Sequence, residues 1–208
     1  KMITNYSKKH NIIFMHQQKT AGMSIMQALE IEKAGHYPVM VLEQMIPSQI
    51  IRKAKKMMVF RNPWERMVSW WEYTKHHHPH HDFSFKEWLT SKRMRIATDA
   101  TLFMSQFHFQ KSMKYHQGTE GYETWMPYYA LNFDMLDRDW KKFCENHGVD
   151  IELPFVNQSF TNVKKHYTEI YDPYSANFVQ NLFIEDIETF GWEYGEGKNG
   201  AVFSEGVA

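Results

Sequence analysis

Two short stretches of the chain carry residue types that hold an anion. The first is His16-Gln17-Gln18-Lys19-Thr20-Ala21-Gly22-Met23-Ser24. Lys19 supplies a mobile cation, Thr20 and Ser24 supply hydroxyl donors, and Gly22 lets the backbone approach a ligand closely. Where such a loop enters a helix, unpaired backbone N–H groups add about half a positive charge. That set suits a phosphate or a phosphosulfate. It is not the Gly-x-x-x-x-Gly-Lys-Ser/Thr loop of nucleotide triphosphatases, whose two glycines would fall at Ile13 and Gln18. The second stretch is Val59-Phe60-Arg61-Asn62-Pro63-Trp64-Glu65-Arg66-Met67-Val68-Ser69. A guanidinium grips a phosphate bidentately, and the Ser69 hydroxyl, two helical turns on, can add one directed bond. Each stretch alone has an ordinary alternative. The first reads equally as a polar strand-to-helix turn, the second as an Arg61–Glu65 pair with Ser69 facing a neighbouring helix.

The elements that must position these residues can be read from the hydrophobic pattern. Ile12, Ile13, Phe14 and Met15 form a short apolar, β-rich run, hence a buried strand. From residue 23 to 29 the pattern turns helical, with Ile25, Met26 and Leu29 on one side. Met57, Met58, Val59 and Phe60 give a second buried strand. Pro63 suits the first turn of the helix carrying Met67, Val68 and Trp71. Ser84 and Glu87 have the spacing of a capping box, and Gly148 is placed to end a helix over 137–146. Asp172 and Pro173 open a last helix with Phe178, Val179, Leu182, Phe183 and Ile187 on its inner face, closed by Gly191. Alternating strands and helices predict an α/β fold of three layers, a mainly parallel central sheet flanked by helices. A single domain over 1–208 is expected, with its core at about 12–192 and a flexible Gly-rich tail over 195–208.

Bulk composition narrows the partners. Acidic and basic residues balance at 24 each, so no global field draws the chain to nucleic acid or to a membrane, and an anion must be held by local groups. The single cysteine, Cys144, allows no intrachain disulfide and is compatible with a reducing compartment. No apolar run is long enough to span a bilayer, and the start lacks a signal-peptide pattern. As the sequence stands the expectation is cytoplasmic; Lys1 precedes the first Met, which leaves room for a removed N-terminal anchor.

Taken together, the two anion-binding stretches resemble the carbohydrate sulfotransferases of the heparan-sulfate 2-O-sulfotransferase type and their bacterial and viral relatives. Residues 13–25 look like that family's 5′-phosphosulfate loop, and residues 59–69 look like its 3′-phosphate motif. The likeness continues through Phe85-Lys86-Glu87-Trp88, Leu153-Pro154-Phe155-Val156-Asn157-Gln158-Ser159, Tyr171-Asp172-Pro173 and residues 186–192. Gln18 stands where the family has Pro, Met23 where it has Thr, and Trp192 where it has Tyr; Asp134 stands roughly where many relatives have Glu. The resemblance implies a P-loop nucleotide-binding-like sulfotransferase fold. It also implies a donor, 3′-phosphoadenosine 5′-phosphosulfate (PAPS), held by Lys19, Thr20, Ala21, Gly22, Met23 and Ser24 at one end and by Arg61 and Ser69 at the other. The product is PAP, the acceptor a hydroxyl, expected on a glycan.

Sulfuryl transfer needs a base for the acceptor hydroxyl and charge stabilisation for the leaving phosphate. Lys19 is the natural stabiliser. The resemblance points to His36, between the two motifs, as the base; an imidazole suits that task at neutral pH. His16 and Glu43 are the alternatives. The run His76-His77-His78-Pro79-His80-His81 offers five imidazoles, but adjacent ligands on a Pro-interrupted loop rarely preform a tetrahedral site, so no metal is expected. Its expected role is a loop near the acceptor cleft that turns cationic in acid. Trp64, Trp70, Trp71, Tyr73, Trp125, Tyr128 and Tyr129 could stack on sugars, yet at helical spacing most belong to the core. Two other readings stand beside the sulfotransferase: a small-molecule kinase using the first loop for ATP, and a catalytically silent nucleotide- or glycan-binding module.

Overall fold

The computed structural model describes residues 4–78, 80, 82–91, 100–110, 129–156, 166–196 and 204–205. The centre is a sheet with strand order β1-β2-β3-β4-β5, formed by Tyr6–Ser7, Ile12–Phe14, Lys55–Phe60, Tyr129–Asn132 and Ser204–Glu205. β2, β3 and β4 run parallel, whereas β1 and β5 pair antiparallel at the edges. The α/β expectation is met, with a parallel centre and two antiparallel borders that the sequence reading did not include. Ser204 and Glu205, within the stretch expected to be a flexible tail, pair with Ala130 and Tyr129.

The three parallel strands are apolar on both faces because helices cover both. Successive side chains alternate between faces. Ile13, Met15, Met58, Phe60 and Ala130 join one core, with Val39, Leu42, Trp64, Met67, Trp88, Val179 and Phe183. Ile12, Phe14, Met57, Val59, Tyr129 and Leu131 join the other, with Ile25, Leu29, Trp140 and Phe143. Helices α1 (Gly22–Ala28) and α7 (Leu136–His147) thus supply one layer. The opposite layer holds α2 (Val39–Met45), α3 (Ser48–Lys53), α4 (Pro63–His77), α5 (Phe85–Thr90) and α6 (Gln106–Phe109), together with α8 (Pro173–Leu182) and α9 (Ile184–Phe190).

Local signals set the helix ends. The Asn62 side chain accepts from the Trp64 and Glu65 amides ahead of Pro63, which suits a first turn that lacks a donor anyway. Both halves of the Ser84–Glu87 capping box form. Gly148 ends α7 at φ 68, a left-handed position that glycine occupies without a Cβ penalty. The single helix expected between Asp172 and Gly191 is two helices. The chain turns at Phe183, which is buried with its ring 4.9 Å from the Arg66 guanidinium, and the turn brings Asp186 under the first residues of α6. His76 and His77, expected in a loop, form the last turn of α4; Pro79 and His81 lie outside the described residues.

Candidate functional site

The loops leaving β2 and β3 emerge side by side at the carboxyl ends of two neighbouring parallel strands, where open α/β sheets place ligands. The β2 loop is coiled tightly. Lys19 and Ala21 both take left-handed backbone angles, φ 64 and φ 58, a conformation that costs a non-glycine residue roughly 1–2 kcal/mol. The Thr20 hydroxyl donates to the Gln17 carbonyl at 2.8 Å. Gln17 Nε2 donates to the Met104 carbonyl and Gln18 Nε2 to Thr101 Oγ1, at 2.8 and 2.7 Å. Gln18 is therefore buried and tied to a distant segment. Gly22 has a reason to be glycine other than approach to an anion: a Cβ there would fall 1.7 Å from His16 Nε2. Met23 is exposed at the start of α1, while the Ser24 hydroxyl is engaged with the backbone of Val156, accepting its N–H at 3.3 Å.

The two loops meet. Arg61 Nη1 donates to the Lys19 carbonyl at 3.0 Å, which locks the second loop to the first. The Arg61 guanidinium lies 4.0 Å from the Phe133 ring centroid and 3.7 Å from a Glu65 oxygen, so the pairing considered in the sequence does form. Burial pulls the Arg61 pKa down, opposed by Glu65, Asp134 and Glu72. The Lys19 ammonium sits 4.5 Å above the Tyr73 ring. Burial, with Arg61 nearby, lowers its pKa to about 8, while Glu72 acts in the other direction. Burial also raises the Glu65 and Glu72 carboxyls above the usual range, and neighbouring Asp134 adds to the shift at Glu65. Ser69 is half-buried on α4, one turn from Glu65 and one from Tyr73, and shares their helix stripe. It thus stands between the contact made by Arg61 and the contact made by Lys19.

The candidate bases are also adjacent. Asn5, at φ 58, holds the His36 loop against β2: its Nδ2 donates to the Phe14 and Gly35 carbonyls, and its Oδ1 accepts from the Gly35 amide. The His36 ring lies 4.3 Å from that of His16, and His36 Nδ1 contacts the His16 carbonyl at 3.3 Å. A carbonyl only accepts, so in this contact Nδ1 carries a proton, and in the neutral ring Nε2 then has the lone pair. His16 is stacked on Phe14 and buried; burial, then proximity to His36, lowers its pKa to about 3. A base that weak removes a hydroxyl proton poorly. Glu43 is half-buried on α2. Asn157, Ser159, Trp125 and Tyr128 lie outside the described residues.

Among the described residues no cluster of three or more His, Cys, Asp or Glu side chains is placed to hold a metal ion. No described helix is long and apolar enough to cross a membrane. The sequence reading did not foresee Asn5, Gln106, Glu72 or Phe133 at this site. Glu72 and Tyr73 could have been reached by continuing the α4 stripe from Glu65 through Ser69; Gln106 left no local signal.

Fold and site together define an α/β protein in which two adjacent strand-to-helix loops, each carrying a cation, meet at the carboxyl ends of neighbouring parallel strands. Comparison of the chain with models of known protein families, with curated proteins and with solved structures finds no match.

Proposed function

We propose that the protein is a sulfotransferase of the P-loop-like α/β kind, which moves a sulfuryl group from PAPS to a hydroxyl, on a carbohydrate acceptor. The observation that carries the proposal is the direct contact between the two loops, Arg61 Nη1 to the Lys19 carbonyl. It ties together two loops that each carry a cation, an arrangement that suits a ligand with two separated anionic groups. PAPS is such a ligand, anionic at its 5′-phosphosulfate and at its 3′-phosphate. The donor brings an activated sulfuryl group; the chain supplies binding, orientation and a proton acceptor.

Lys19 and the loop amides through Met23 would hold the 5′ end, and Arg61 with Ser69 the 3′-phosphate. In the transfer step the acceptor oxygen bonds to sulfur and the bond from sulfur to the bridging phosphate oxygen breaks. His36 Nε2 takes the acceptor proton, and Lys19 offsets the charge that builds on the leaving phosphate.

The kinase reading has less support, because Gln18 occupies the position of a required glycine and is tied to Thr101. The test is transfer of label from isotopically labelled PAPS to a panel of polysaccharides and simple alcohols, with a chelator present. Label should appear in a glycan, and His36→Ala should slow its transfer by about a hundredfold or more. Transfer from labelled ATP instead would overturn the assignment, and binding of PAP without transfer to any acceptor would favour the silent binding module.

A further inference from the structure

We infer that Gln106 is a positioning residue that sets the direction of Arg61; the inference rests on the proposed role of Arg61 in gripping a 3′-phosphate. At Phe60 the chain leaves β3, and the next peptide needs new partners. Gln106 provides both. Its Oε1 accepts from the Arg61 amide at 2.9 Å, and its Nε2 donates to the Arg61 carbonyl at 2.9 Å. A primary amide can close this two-bond ring because it presents an acceptor and a donor side by side; a carboxylate or an aliphatic side chain cannot.

Gln106 is itself fixed. It is fully buried, and its own backbone N–H donates to Asp186 Oδ2 at 2.7 Å, while Phe107 donates to Asp186 Oδ1 at 2.8 Å. Arg66, also fully buried, donates to the carbonyl of Leu102 at 3.0 Å and lies near Asp186. Gln17 and Gln18 of the first loop reach the same segment through Met104 and Thr101. The stretch 100–110 therefore braces both loops at once, and Gln106 is the point at which it holds Arg61. Once the peptide direction is fixed, the side chain leaves toward Lys19 and Phe133 rather than into solvent.

The test compares wild type with Gln106→Met, which keeps much of the volume and removes both bonds. Two readouts are taken: the ratio of PAP to AMP affinity by calorimetry, and hydrogen exchange at the Arg61 amide. Gln106→Met should lower the PAP/AMP ratio by about tenfold, the scale of one misdirected charge-assisted contact, while AMP affinity changes little. Exchange at Arg61 should accelerate, and the amides of Val59 and Phe60 should stay protected. An unchanged ratio overturns the inference even if exchange accelerates, because the bonds would then hold a peptide without directing the guanidinium. Wild type that prefers neither nucleotide sinks the sulfotransferase reading; Arg61 exchange alone then decides whether Gln106 holds that peptide. Should Gln106→Met fail to fold, wild-type exchange still decides: an Arg61 amide as open as a loop amide rules the brace out.

Discussion

His16 should make the fold sensitive to mild acid. Its pKa falls from an ordinary 6.5 to about 3 because burial disfavours the imidazolium and His36 stands beside it. Among the described residues its Nδ1 is buried without a hydrogen-bond partner, and its other nitrogen faces Gly22, so protonation finds no acceptor among them. Below pH 6.5 the unfolded chain takes up a proton that the folded chain refuses, so stability is lost as pH falls from 6.5 toward 3 and is unaffected above that window. Each pH unit within the window costs about 1.4 kcal/mol, which gives roughly 2 kcal/mol between pH 7.5 and 5.0 and about 4 kcal/mol by pH 3. Urea unfolding of wild type and His16→Asn at pH 7.5 and pH 5.0 isolates this contribution. The variant loses packing at both values, but its stability should fall by roughly 2 kcal/mol less between them, since His10 and His147 titrate in both proteins. Equal losses in the two proteins would refute the reasoning.

Gly22→Ala should destabilise the protein by about 1–3 kcal/mol in thermal unfolding, because the new methyl collides with the His16 ring, and adding His16→Ala should recover part of the loss. Lys19 is charged below its pKa of about 8, so affinity for PAP should weaken by up to about tenfold per pH unit above pH 8, and Lys19→Arg should flatten that dependence. His36→Ala should reduce turnover by about a hundredfold or more with PAP affinity nearly unchanged, checked by steady-state rates and calorimetry. Loss of PAP binding with no separate loss of turnover would place His36 at the nucleotide instead.

What could be read from sequence was what adjacent residues determine. The β2 and β3 runs are continuous and apolar because each is covered on both faces, and the caps at Asn62, Ser84 and Gly148 act within one turn. Lys19 and Arg61 stood out for a similar reason: each is a cation set where an apolar run ends. β1 and β5 did not, since two residues carry no period and their pairing depends on neighbours far along the chain. Gln106 is 45 residues from the peptide it holds, and Asn5 is 30 from Gly35. No local pattern marks either. The turn at Phe183 was hidden because both halves keep one apolar face, which reads as a single helix. The pairing of Arg61 with Glu65, by contrast, followed from i,i+4 spacing.

The central claim is that Lys19 and Arg61 together hold a nucleotide with separate 5′ and 3′ anionic groups. Calorimetric titration with PAP, AMP and ATP, on wild type and on Arg61→Ala, tests it most directly. PAP should bind wild type far more tightly than AMP or ATP. Arg61→Ala should weaken PAP binding by about ten- to a hundredfold, the worth of one charge-assisted contact, and leave AMP binding little changed. Equal affinity of wild type for PAP and ATP, or no binding of PAP, would contradict the account.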